Sequence, residues 1–334
     1  MNVFLDQLRV RAIRGGVRTI LFPEADDARV QEAATRLSQE KIVQPMFVEI
    51  EERRAEDIQH LLLERRSSKV GTPDELTSEK AQQLAHDPLW YTMDMLRRGE
   101  ADGLVAGAVR TTADVLRAGL WLVGKADGIQ TVSSAMYMVV GDQVLTFADC
   151  AVVPNPTPDQ LADIAIASAD ARRAVVGDEP RVAMLSYSTK GSGRGSSVDT
   201  VRKALEIVQA RRPQLMVDGE LQADAAIVES ISQRKAPGNI INGQANVLVF
   251  PSLDAANIAY KLVVTLVPGA QALGPILQGM KKPMSDLSRG ARVQDIVDVA
   301  TIVAAQAAGS FFTVIPDLIG NPENDRGSSG QARG

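Results

Sequence analysis

A single cysteine, Cys150, is all the thiol this chain of 334 residues has. Neither a disulfide framework nor a cysteine-rich metal site is therefore open to it. Histidine is nearly as scarce: the two present, His60 and His86, lack metal-ligand spacing and read as surface residues. No run approaches the roughly 18 uninterrupted apolar residues that a membrane-crossing helix requires. The N-terminal stretch MNVFLDQLRVRAIRGG alternates charged with apolar residues and lacks the apolar block of a secretory signal. A reducing, cytoplasmic setting is expected, with no membrane partner. Positive charge is not in excess either. A net charge of −5 leaves no basic footprint for nucleic acid. An acidic protein that handles an anionic substrate must then gather its arginines locally.

What is present is an alternation of β-rich runs with helical periodicity, in a chain long enough for two domains. Strands are predicted over 17–22, 46–50, 103–107, 131–140, 182–186, 215–217 and 247–250. Val30, Ala33, Ala34 and Leu37 fall at helical spacing. Another helix starts at Thr111 or Thr112 and carries Val115, Leu116, Leu120 and Trp121. Thr157, Pro158 and Gln160 spell a capping box with proline at its favoured first position. Such alternation implies an α/β class with a parallel sheet covered on both faces. Ligands in such sheets sit beyond the carboxyl ends of strands, so the loops there matter most.

Three loops qualify. In SYSTKGSGRGSS (Ser186 to Ser197) the glycines permit close backbone approach, and a helix start beyond them favours anions. The candidates there are Ser188, Thr189, Lys190 and Gly191. A dinucleotide fingerprint is disfavoured, since Gly191, Gly193 and Gly195 give G-x-G-x-G. A plain surface turn remains open. In DLSRGARVQD (Asp286 to Asp295), Ser288 and Arg289 share a turn, and arginine offers a planar fork for phosphate. Asp295 reads either as a general base or as a favourable charge at a helix start. In AGAVRTTADVLRAG (Ala106 to Gly119), a strand runs into the helix opened by Thr112, with Arg117 either serving an anion or simply solvated. Cys150 has no histidine near it in sequence and reads as a packed thiol, and no Ser-His-Asp set is legible. Direct transfer is therefore favoured over an acyl-enzyme.

Taken together, RVAMLSYSTKGS, VDGELQADAAIV, KAPG, ANVLVFPSLDAANIAYK, GPILQG and DLSRG closely resemble the phosphate acetyltransferase (phosphotransacetylase) family. The resemblance runs from about residue 22 to about 306, and FADCAVVPNPT with VLRAG is most like the ethanolamine-utilisation type. It implies two α/β domains of the isocitrate/isopropylmalate dehydrogenase-like type around a central cleft, and a homodimer. The domains are expected at 1–128 plus 275–310 and at 129–274, with 311–334 a partly disordered tail. The implied reaction is reversible acetyl transfer between acetyl-CoA and inorganic phosphate, giving acetyl phosphate and CoA. CoA and acetyl-CoA act as substrates, with no tightly bound cofactor and no metal.

Carried over residue by residue, Asp295 matches the base for the CoA thiol, and Arg289 the arginine that holds the phosphoryl group. Ser288 matches the serine that bonds the reacting group, Arg117 a cleft arginine, and Arg66 in RRSSK another substrate arginine. Thr112, Ser188, Thr189, Lys190 and Gly191 complete the expected substrate-binding set. The stretch 49–69 looks shorter than in the family. Alternatives are a phosphate butyryl- or propionyltransferase, a catalytically silent acetyl-CoA-sensing module, and a dehydrogenase of related fold.

Overall fold

The computed structural model describes residues 3–67 and 76–309, so the expected tail at 311–334 lies outside the described residues. Helix α1 (Val3–Ala12) leads into β1 (Arg18–Leu21), α2 (Ala28–Gln39) and β2 (Val43–Met46). Three helices follow, α3 (Glu52–Ser67), α4 (Ser78–Ala85) and α5 (Pro88–Arg98), then β3 (Gly103–Ala106) and α6 (Thr112–Leu122). A hairpin of β4 (Ser133–Val140) and β5 (Gln143–Ala148) precedes α7 (Pro158–Val175), β6 (Arg181–Leu185), α8 (Ser196–Arg211) and β7 (Met216–Leu221). Short helices α9 (Ala223–Ile227) and α10 (Glu229–Lys235) lead to β8 (Val247–Val249) and α11 (Leu253–Leu266). The chain then forms β9 (Gln271–Gln278), β10 (Met284–Asp286) and α12 (Val293–Gly309).

All ten strands join one sheet in the order β2-β1-β3-β10-β9-β4-β5-β8-β6-β7. The α/β class is as expected, but the sheet is mixed rather than parallel. Strands β10, β9, β4 and β5 pair antiparallel in succession. The cause of one reversal is the two-residue turn at Gly141 and Asp142, which brings Val140 opposite Gln143. Three reversals invert the direction of everything beyond them. β5, β8, β6 and β7 therefore run opposite to β1, β3 and β10.

Local signals explain most boundaries. α2 begins where Asp27 accepts the amides of Arg29 and Val30, and it buries Val30, Ala33, Ala34 and Leu37. The expected capping box at Thr157 and Gln160 is formed at the start of α7. The strand predicted over 46–50 is displaced to Val43–Met46. Its β-prone residues Phe47 and Ile50 are instead exposed, and Pro45 is tolerated because β2 is an edge strand. In α6 the buried residues are Val115, Ala118, Gly119 and Leu122, while Leu120 faces out. Helix α12 is buried almost all round, as a helix with so little polarity must be. It packs on α1, α2, α7 and β3, which makes it a rigid base for the loop that precedes it.

Candidate active site at the ends of β1, β3 and β10

β1, β3 and β10 lie side by side, point the same way and release three loops at one edge of the sheet. The carboxylate of Glu24, just after β1, accepts the backbone N–H groups of Ala108, Val109 and Arg110 at 2.8, 2.9 and 2.9 Å. Close approach forces the residue before them to be glycine. Gly107 has φ of +100°, and a Cβ there would lie 2.3 Å from Asp286 Oδ1. Asp286 ends β10 and is buried. Thr112 Oγ1 donates to its Oδ2 at 2.5 Å, and among the described residues nothing donates to Oδ1. Burial therefore pushes this carboxyl up to about 6, with the nearby charge of Glu24 adding and the Thr112 hydrogen bond opposing.

The turn after β10 carries two of the expected residues. Ser288 and Arg289 are exposed. Ser288 closes the turn by accepting the Ala291 amide on its carbonyl at 2.8 Å, and its Oγ accepts the Gly290 amide at 3.3 Å. No described residue takes up the Arg289 guanidinium. Asp295 lies one turn into the helix start. It accepts the Arg292 amide at 2.8 Å and the Arg292 guanidinium at 3.1 and 2.9 Å. Burial pushes the Asp295 carboxyl up, but those Arg292 contacts outweigh it and hold the group below its ordinary value. As it stands, Asp295 caps α12. Ser288 and Asp295 nevertheless share one cavity of about 380 Å³, closed by residues 270–274 before and within β9 and by Arg292 and Asp298.

The other expected residues are placed differently. Thr112 serves Asp286. Arg117 is exposed on α6 with Asp114 at 3.7 Å, and no described contact joins it to Ser288 or Asp295. Arg66 falls in the last turn of α3, and its side chain lies outside the described residues. The loop after β6 leaves the opposite edge of the sheet, because β6 runs against β10. Its polar groups turn inward on Glu220. That carboxylate accepts from Ser188 Oγ and the Gly191 amide, each at 2.8 Å, and from the Arg202 guanidinium at 3.0 and 2.9 Å. Ser188 Oγ in turn accepts the Gly193 amide at 2.8 Å. Thr189 Oγ1 accepts the Gln222 amide, and Lys190 is paired with Asp218. Burial raises the Glu220 carboxyl, yet Arg202, the Gly191 amide and Ser188 together bring it down to about 2.

Cys150 is buried, its thiol donates to the Phe147 carbonyl at 3.3 Å, and burial pushes its pKa up, as befits a packed thiol. His86 is half-buried beside Glu52. Among the described residues no group of acidic, histidine or cysteine side chains forms a metal cluster, and no helix is long and apolar enough to cross a membrane. The sequence reading missed Glu24, Asp286 as a buried acid, and Arg29. Of these only Glu24 and Arg29 left a local trace, the charged stretch PEADDAR between a strand and a helix.

Comparison with known proteins bears on what this edge does. Residues 3–304 match the model of the phosphate acetyl/butaryl transferase family. The chain is 41% identical over 332 residues to a phosphate acetyltransferase of Acetivibrio thermocellus, across 91% of this chain and 98% of that protein. Among solved structures it is similar to a phosphotransacetylase from Streptococcus pyogenes, with a TM-score of 0.83 and 36% identity over 92% of this chain and 99% of the other. It is also similar to the EutD phosphotransacetylase from Staphylococcus aureus, with a TM-score of 0.79 and 35% identity over 91% of this chain and 99% of the other. The match spans both halves of the sheet and every loop described above, and the chain belongs to the phosphate acetyl/butaryl transferase family.

Proposed function

We propose that this protein is a phosphate acetyltransferase that moves an acetyl group reversibly between CoA and inorganic phosphate at the loop following β10. The observation that carries this reading is the cavity shared by Ser288 and Asp295, with Arg289 exposed in the same turn. A free cysteine thiol has a pKa of about 8.5, and the alkyl thiol of CoA is likewise protonated near neutrality, so a base that removes its proton makes the nucleophile available. In a ternary complex the thiolate attacks the acetyl carbonyl of acetyl phosphate, the C–S bond forms, the C–O bond to phosphate breaks, and phosphate leaves with the electron pair. Arg289 holds the phosphoryl group and, with the Ser288 hydroxyl, stabilises the oxyanion that develops on the carbonyl. Asp295 takes the thiol proton. It does so only when Arg292 turns away, and the Arg292 side chain is 81% exposed and so unhindered by packing. With that guanidinium gone, the contacts that most oppose burial are lost and the carboxylate becomes a better base.

The proposed division into lobes of residues 1–128 with 275–310 and residues 129–274 puts this edge in the first lobe. Arg117 and Arg66 are proposed to meet the substrate from that lobe as well. Ser188 and Gly191 contribute to binding only by releasing Glu220, Thr189 by releasing Gln222 and Lys190 by releasing Asp218. A cytoplasmic setting suits these substrates. A homodimer through α11 is proposed because that helix buries only Ala256 and exposes Ile258, Leu262 and Leu266 as one stripe. Leu262→Glu is expected to lower the mass in sedimentation, and an unchanged mass removes α11 as the interface.

An acyl-phosphate series, with thioester absorbance as the readout, tests the reaction. Acetyl phosphate is expected to be the best substrate, while a preference for butyryl phosphate would move the protein to the butyryl-transferring branch. No turnover with any member would leave an acetyl-CoA-binding module. Asp295→Asn preserves a cap but not a base. It is expected to lower kcat roughly 100-fold with CoA affinity retained, and an unchanged kcat removes Asp295 from its role.

A further inference from the structure

Arg29, in the first turn of α2, spends all five of its N–H bonds within this edge of the sheet. Nε donates to Asp27 Oδ1 at 3.1 Å and Nη2 to Asp27 Oδ2 at 2.7 Å, a two-point ion pair that fixes the plane of the guanidinium. The second Nη2 hydrogen goes to the carbonyl of Ala108 in the loop after β3, at 2.9 Å. The two Nη1 hydrogens go to the carbonyls of Arg289 and Ala291 in the loop after β10, each at 2.9 Å. One side chain thus ties together three loops whose partners lie 79 and 262 residues away in sequence.

The bond to the Arg289 carbonyl has a chemical consequence. That carbonyl belongs to the peptide unit whose N–H, on Gly290, donates to Ser288 Oγ. Holding the oxygen holds the whole planar unit, so Arg29 sets where the Gly290 N–H points. With one lone pair of Ser288 Oγ taken by Gly290, the hydroxyl hydrogen is directed away from the turn. We infer that Arg29 is a positioning residue for transfer: by clamping the Arg289–Gly290 peptide to the loop after β3, it orients the Ser288 hydroxyl as a donor and aims the Arg289 side chain. The inference rests on the assignment of the reaction to Ser288 and Arg289.

Lysine cannot replace this arginine, because an ammonium has three donors and no plane. Arg29→Lys and Arg29→Ala are therefore expected to lower kcat for acetyl-CoA formation roughly 100-fold, the scale of a misplacement near 1 Å. KM for CoA should stay within about threefold, since nothing that Arg29 touches is assigned to CoA binding. Millimolar guanidinium added to the full-length Arg29→Ala protein should restore part of kcat by filling the vacated clamp. A purely structural role predicts something else, a lower melting temperature with kcat per folded molecule unchanged and no rescue, and that result overturns the inference. Should Arg29→Ala not fold, Arg29→Lys at wild-type kcat overturns it equally. Arg289→Ala run in parallel separates the two layers. If Arg289→Ala retains full activity, the site assignment fails. If Arg289→Ala is inactive while both Arg29 variants are fully active, only the positioning role fails.

Discussion

After β6 and after β10 the chain does nearly the same thing twice. A strand ends, a serine and a cation follow within a few residues, glycine turns the backbone, and a helix begins. After β6 the donors of Ser188, Lys190 and Gly191 are consumed, and Arg194 farther along the loop stays exposed. Ser188, Gly191 and Arg202 converge on the buried carboxylate of Glu220, and Lys190 takes Asp218. After β10 the buried acid, Asp286, receives one hydrogen bond and keeps one oxygen without a partner, while Ser288 and Arg289 stay exposed. Similar residues thus build a closed knot at one edge and an open turn at the other. The difference lies in the acid behind the loop. Glu220 stands on the neighbouring strand β7 and reaches across into the loop after β6, whereas Asp286 ends β10 itself and is answered only by Thr112 at the start of α6.

Removing the two cations breaks the comparison most sharply. Arg289→Ala is expected to lower kcat by roughly 100- to 1,000-fold, the usual cost of losing a group aimed at developing charge. Lys190→Ala should leave kcat within about threefold. Equal losses in steady-state kinetics would mean that the loop after β6 takes part in the chemistry. The two acids give a smaller effect, and one of opposite sign. Glu220 has its folded pKa depressed to about 2, so the stability it contributes is present above pH 4.5 and is lost as pH falls toward 2. Its partner Arg202 has a side chain 38% exposed, which discounts the effect to about 2 kcal/mol. Glu220→Gln should lose that amount at neutral pH and little at pH 2. Asp286 has its folded pKa raised to about 6, so wild-type stability falls as pH rises from about 4 to 6. Asp286→Asn should abolish that fall, again about 2 kcal/mol. Denaturant midpoints across pH measure both, and slopes of the same sign would refute the contrast.

The α/β class, the capped starts of α6 and α7 and the loop after β6 were legible because each rests on local chemistry. Threonine caps, proline at a first helical position and glycine after a strand act within a few residues of themselves. β9 was hidden by its own Gly274 and Pro275, which read as loop residues and yet sit inside a strand of eight residues. β10 has only three residues, too few for any period. The roles of Ser288, Arg289 and Asp295 come from family likeness, since a serine and an arginine in a turn have many uses. Arg29 left only the trace of its charged stretch, and its clamping role could not be seen. Asp27 two residues before it suggests a local pair, but its other acceptors are backbone carbonyls brought in by the sheet order. The opposite directions of β6 and β10 were equally invisible, because they follow from reversals involving the unforeseen β5 and β9.

One further consequence follows from Asp295 being both the cap of α12 and the proposed base. The proton that leaves the thiol is taken up by the group that secures the first turn of the helix. With the guanidinium already turned away, a protonated carboxyl binds the Arg292 amide more weakly, so chemistry at the sulfur and fraying at the start of α12 become one event. The exchange of the Arg292 amide hydrogen with solvent then reports the charge state of the base. α12, buried along most of its length, confines the loosening to the turn that faces the substrate.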